Sequence, residues 1–172
     1  FGSTPATAQV FVQDKGEKLY RRSLYTFVKR TSPHPSLSAF DAPNREMCIT
    51  ERGITNTPLQ SLVTLNDPQF AEAARVFAEN LLRDTPDMED VARLRAAFER
   101  VTSRPPRTAE VDALASFLSD EQSRYRSDPS AAQQIVSVGE WPLANDVDPV
   151  IQASWTQVSA LLMNLSESLT RH

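Results

Sequence analysis

Residues 67–83, DPQFAEAARVFAENLLR, decide the fold class of this chain. Asp67 followed by Pro68 has the form of a helix N-cap and first helical residue, because the carboxylate can accept from free amides and proline has no N–H to leave unpaired. Phe70, Ala73, Ala74, Phe77 and Leu81 then recur at threes and fours, giving one apolar stripe on a helix that ends near Arg83.

The same device recurs on both sides of this stretch. Thr57-Pro58 opens a short helix predicted to turn Leu59, Leu62 and Val63 inward. Thr85-Pro86-Asp87 starts another, with Met88, Val91, Leu94, Phe98 and Val101 on its stripe and a stop at Ser103-Arg104-Pro105-Pro106. Thr108, with Glu110 and Asp112 suiting the positive end of a helix dipole, opens the second arm of a hairpin whose core face is Val111, Leu114, Leu118 and Tyr125. Asp128-Pro129 caps a short helix broken at Gly139-Glu140-Trp141-Pro142, and LANDV after it reads as a surface loop. Asp148-Pro149 opens the last helix, where Ile151, Trp155, Val158, Leu162 and Leu165 form a broad apolar face suited to a core. Upstream, EKLYRRSLYTFVKR from Glu17 to Arg30 has helical spacing, although its aromatic and β-branched content also suits a strand. The expectation is an all-α fold, an irregular helical bundle of about six helices, with Met47 to Thr50 the only strand candidate. Residues 1–172 are read as one domain with an irregular arm at 1–13. Because the chain opens on Phe1 in mid-phrase, it is expected to be an excised C-terminal piece of a larger protein.

Composition limits the function classes. The chain has 172 residues, 40% hydrophobic and 23% charged, enough for a real core. A net charge of -4 and a pI near 5.2 give no global reason to expect nucleic acid. Charge is unevenly spread: through Asn66 basic residues outnumber acidic ones 8 to 5, and thereafter acidic residues lead 17 to 10. Mutual attraction within one fold accounts for that. Cys48 is the single cysteine, so no intrachain disulfide and no CxxCH haem attachment can form. No apolar run reaches the roughly 18 residues of a membrane span.

Between the first helical run and the clean helices lies SPHPSLSAFDAPNREMCITERGITNTPLQSLVTLND, residues 32–67. Its prolines and polar residues make an irregular connection, and Leu37, Phe40, Met47, Cys48, Ile49 and Ile54 are expected to pin it to the body. The candidate polar site, structural or binding, is drawn from this connection and the basic ridge before it: Arg21, Arg22, Arg30, Asp41, Arg45, Glu46, Arg52 and Asn56. Asp41 and Glu46 could face one cleft as a hydrolytic acid/base pair. The same acids could instead pair with the arginines and with loop backbone, giving an ion-paired loop that holds irregular chain together. His34, Asp41, Glu46 and Cys48 lack the paired intervals of zinc sites, so no metal is expected. Trp141, in its loop, is the aromatic best placed to stack on a sugar. Neither a Gly-rich phosphate loop nor a GxSxG or HExxH motif occurs.

The runs GEKLYRRSLYTFVKRTSPHPSL, FDAPNREMC, TNTPLQSLVTLNDPQFAEAAR and LLMNLSESLTR resemble the C-terminal part of the planctomycete domain-of-unknown-function family 1553. The resemblance extends from about Val12 onward, with departures at Val28, where the family has Trp, and at Ser166, where it has Asp. It implies an exported module, periplasmic or linked to the cell surface, from a large multidomain protein that also carries c-type cytochrome modules; it supplies no reaction. The expected role is a non-catalytic helical interaction or structural module with no cofactor, whose partners are other domains of the parent protein. The alternative is a carbohydrate-binding or carbohydrate-processing module built on the Asp41/Glu46 loop, with a polysaccharide as partner. No nucleic-acid partner is expected.

Overall fold

The computed structural model describes residues 16–20, 23–25, 34–43, 48–51, 53, 55–143 and 146–170. Two 3-10 turns, Gly16–Tyr20 and Ser23–Tyr25, precede eight α-helices, and no strand occurs among the described residues. The helices are α1 (Pro35–Ala39), α2 (Pro58–Asn66), α3 (Pro68–Asp84), α4 (Asp90–Thr102), α5 (Thr108–Ser127), α6 (Pro129–Val136), α7 (Pro149–Met163) and α8 (Ser166–Leu169). The all-α expectation holds. Six of these helices have eight residues or more, and the short α1 and α8 raise the expected number.

Local chemistry starts the helices where the sequence says. Thr57 Oγ1 accepts from Gln60 N while Gln60 Oε1 accepts from Thr57 N, a reciprocal capping box. Asp67, Asp128 and Asp148 each accept a backbone N–H of the first turn, from Gln69, Ala131 and Val150, and a proline follows each cap. The exception is Thr85. Its hydroxyl donates to Leu81 O at 2.6 Å and accepts from Arg93 Nε at 2.9 Å, so it closes α3. Accordingly α4 begins at Asp90, and Met88 and Val91, expected on its core stripe, are exposed. The expected helix over Glu17 to Arg30 is described only at 16–20 and 23–25, where the backbone is 3-10, with Leu24 and Tyr25 open to solvent. Of the apolar positions expected at helical intervals, Leu19, Tyr20, Leu24, Phe27 and Val28, Tyr20 and Leu24 are exposed and Phe27 and Val28 lie outside the described residues. Of the strand candidate Met47 to Thr50, residue 47 lies outside the described residues and 48–50 form no strand.

Helix α7 is the axis of the molecule. Asp146, just before it, bonds Arg83 at the end of α3, and Asn164, just after it, accepts from Thr64 just before α3, so α7 runs antiparallel to α3. The main core joins α3, α4, α5 and α7 through Ala78, Leu81, Leu94, Phe98, Leu114, Leu118, Trp155, Val158 and Leu162. A second cluster, Tyr125, Ala132, Val136 and Ala153, seats α6 on α5 and α7. Trp155 is fully buried, as its spacing requires, whereas Ile151 and Leu161 at the edge of the stripe face solvent. Trp155, Ser159 and Leu162 share one buried face of α7, which sets a small side chain between two large ones.

Candidate functional site

Three polar or apolar features stand out. The first is the knot between α1 and α2. Asp41 adopts φ +55°, a left-handed conformation that Asp tolerates better than most residues. There its Oδ2 accepts from Thr55 N at 2.8 Å and Thr55 Oγ1 at 2.7 Å, with Gln60 Nε2 at 3.5 Å. Gln60 Nε2 also donates to Thr55 Oγ1 at 3.2 Å, so one carboxylate ties the end of α1 to the first turn of α2. Phe40 meets Phe70 of α3 with ring centroids 6.3 Å apart. Of the eight candidate site residues, Asp41 and Asn56 are described, and Asn56 is exposed. Arg21, Arg22, Arg30, Arg45, Glu46 and Arg52 lie outside the described residues. The expected pins Cys48 and Ile49 face solvent instead: apolar character alone does not bury a side chain in an irregular segment.

The second feature is a row of buried charge on α3 that sequence reasoning missed. Glu72, Arg75 and Glu79 are 1%, 0% and 2% exposed, in a helix whose expected stripe was Phe70, Ala73, Ala74, Phe77 and Leu81. Gly139, at φ +98°, lies against Glu72 so closely that a Cβ there would fall 2.3 Å from its Cδ. That approach lets Glu72 Oε1 accept two successive backbone amides, of Glu140 at 3.0 Å and of Trp141. Arg75 Nη2 donates to Trp141 O at 2.7 Å, and Arg75 Nη1 lies 3.7 Å from Glu79. Glu79 pairs in turn with Arg83, whose guanidinium forks onto Asp146 at 2.7 and 3.1 Å. Asp146 holds Arg83 further toward its charged form, and Arg83 holds the Asp146 carboxyl below its usual range. Tyr20 reaches the same place. Partial desolvation pushes the phenol up to about 12, assisted by its hydrogen bond to the Glu72 carboxylate. Gly16 N donates to Glu140 at 3.1 Å, so the row binds the 3-10 turns, α3 and the loop before α7 together. The signal was present: positions i, i+3 and i+7 share one face of a helix.

The third feature is the outward face of α2. Leu59, Leu62 and Leu65 are 56%, 57% and 50% exposed, whereas Gln60 and Thr64 are buried. At about 100° per residue those two polar side chains lie opposite the leucine triplet. The expected inward placement of Leu59 and Leu62 is thus reversed. Polar partners impose this: Gln60 serves the Asp41–Thr55 knot, and Thr64 Oγ1 reaches Asn164 Oδ1 at 2.8 Å. A groove of about 380 Å³ runs beside this face, lined by Pro35, Ser36, Ala39, Leu59, Leu62, Val63, Asn66 and Asp67.

Among the described residues no group of three or more His, Cys, Asp or Glu is placed to hold a metal ion, and no helix is long and apolar enough to cross a membrane. A family model, PSD1: Protein of unknown function (DUF1553), matches residues 2–118. The chain belongs to the DUF1553 family. In this DUF1553 chain the matched span includes α1 to α4 and the first half of α5, and thus both the Asp41 knot and the Glu72–Arg75–Glu79 row. The loop that receives the row, α7 and the closing run 161–171 lie beyond it. No curated protein and no solved structure matches the chain.

Proposed function

We propose that this DUF1553 chain is a non-catalytic helical interaction module of a large exported protein that also carries c-type cytochrome modules, positioned at the periplasm or cell surface. Its partners are other parts of that parent protein. The observation that carries the proposal is α2, a helix that seats Gln60 and Thr64 on the body and leaves Leu59, Leu62 and Leu65 outside. Exposed apolar surface opposes solubility unless something covers it, and a contiguous patch of this kind marks an interaction site. The carbohydrate alternative draws on Asp41 and Glu46, and the Asp41 carboxylate is already taken up by Thr55 and Gln60, which favours a structural role for that acid.

The test uses the intact parent protein carrying Leu59→Ser, Leu62→Ser and Leu65→Ser together. Chemical crosslinking read by mass spectrometry is expected to lose the links between this module and its neighbours, with the module still folded. Links retained at wild-type yield overturn the proposal. Polysaccharide pull-down by the isolated module, abolished by Asp41→Asn without loss of thermal stability, would move the assignment to carbohydrate binding.

A further inference from the structure

We infer that the α1–α2 groove seats an amphipathic helix whose docking face is uncharged, supplied by a part of the parent protein held close by. This rests on the interaction-module proposal and specifies the partner. Charge is the first argument. Neither α1 (PSLSA) nor α2 (PLQSLVTLN) carries an ionisable side chain, on a chain that is 23% charged. Among the described residues lining the groove the one acid, Asp67, already accepts from Gln69 N as the cap of α3. Asp67 is also the single charged group among them, so an acidic partner face would be desolvated there without an opposite charge to meet it, which is strongly unfavourable. An uncharged apolar face meets no such penalty.

Shape and area decide the rest. Leu59, Leu62 and Leu65 form a ridge along nine residues, about 13.5 Å of helix at 1.5 Å per residue, and the adjacent groove runs beside them. Laying an apolar helix stripe into a groove is a standard recognition mode, read as anchors at threes and fours. A patch of this extent offers a few hundred Å². A stable complex between free proteins buries about 800 Å² on each side, so this patch alone is too small to hold a second copy of the chain. For a tethered segment the effective concentration reaches the millimolar range, and a weak intrinsic contact suffices.

The experiment titrates the ¹⁵N-labelled chain with a synthetic helix of about 15 residues made of Leu, Ala and Gln with its leucines on one face, long enough for an isolated helix to begin forming. A control peptide has Glu at two of the leucine positions. Saturable amide shifts are expected at residues 36–39 and 59–66, with the control binding at least about tenfold more weakly and Leu62→Asp weakening the leucine peptide by a similar factor, a change of about 1.4 kcal/mol. The thermal midpoint of Leu62→Asp should stay within a degree or so of wild type, because that side chain faces solvent. The same shifts appearing when the chain alone is concentrated would assign the groove to a second copy and overturn the helix partner. Equal response to both peptides, or none, would overturn it as well. If no peptide binds while the triple-serine parent still loses its crosslinks, the helix fails and the interaction module stands; if those crosslinks also persist, both fall.

Discussion

Helices α2 and α3 follow one another directly, open on the same Thr/Asp-Pro device, and turn opposite kinds of side chain to the body. Helix α3 buries Ala74, Ala78 and Leu81 together with three charged groups, whereas α2 buries Gln60 and Thr64 and exposes its leucines. A cap fixes where a helix starts through hydrogen bonds within its first turn. It says nothing about which face the rest of the molecule will take. That is set by partners distant in sequence: Trp141 and Asp146 for α3, Asp41 and Asn164 for α2.

The comparison breaks most readily at Arg75. Replacing it by Ala or Met removes the buried cation beside Glu79 and its donation to Trp141 O, leaving Arg83 to pair with Glu79 and the Glu140 and Trp141 amides to hold Glu72. Breaking a buried pair by deleting one partner destabilises by about 3–5 kcal/mol, so urea unfolding of Arg75→Met should show a large fall in midpoint. An unchanged midpoint would mean that the row contributes nothing to stability. Gly139→Ala comes next. The added Cβ meets the Glu72 side chain at 2.3–2.7 Å and the backbone stands at φ +98°, so a loss of about 1–3 kcal/mol is expected from the same measurement.

A smaller effect is expected where charge sits at the surface. Arg104 bridges Glu110 at 2.7 and 3.0 Å and Glu167 at 2.7 and 2.9 Å, fastening α8 to the turn between α4 and α5. The Arg104 guanidinium, with the Arg107 amide, lowers Glu110 from 4.5 to about 2, and Arg104 lowers Glu167 too. Between those values the unfolded chain takes up protons that the folded chain refuses. The clamp is therefore fully present above pH 4.5 and is lost as pH falls toward 2. Arg104→Met should flatten the decline of thermal stability over that window, compared with wild type at each pH; an identical decline would show that the clamp does not form in solution.

Much of this architecture was legible because it is local. Asp67, Asp128 and Asp148 cap the helices assigned to them, Trp155 is central and Trp141 lies in its loop, since cap chemistry and i, i+3, i+4 spacing act over a few residues. Thr85 misled because one Thr-Pro pair can serve the helix before it as well as the helix after, and here Arg93 and the Leu81 carbonyl claim the hydroxyl. The buried charges were hidden by a rule that places charge outside. Their spacing was visible, but their compensation comes from amides of residues 140 and 141, some seventy positions away. The inward turn of Gln60 depends likewise on Asp41 and Thr55, whose left-handed knot no periodicity reveals. The arginines of the candidate site and Glu46 lie outside the described residues. Asp41→Asn is expected to lower thermal stability by weakening the Thr55 and Gln60 contacts.

Helix α2 gives the sharpest form of the comparison, because it should reverse the usual hierarchy of substitutions. In an ordinary amphipathic helix, truncating a leucine on the packed face costs about 2–5 kcal/mol and truncating a polar side chain costs little. Here Thr64→Ala removes a buried hydroxyl that bonds Asn164 and should cost about 1–3 kcal/mol by leaving that amide oxygen without its donor. Leu62→Ala should fall within about 0.5 kcal/mol of wild type, since more than half of the side chain is already in water and its removal opens no cavity. Chemical unfolding of the two single variants side by side measures the order directly. A leucine loss larger than the threonine loss would mean that α2 seats its leucines on the body in solution, and the outward apolar face would vanish along with the reason to seek a partner for it.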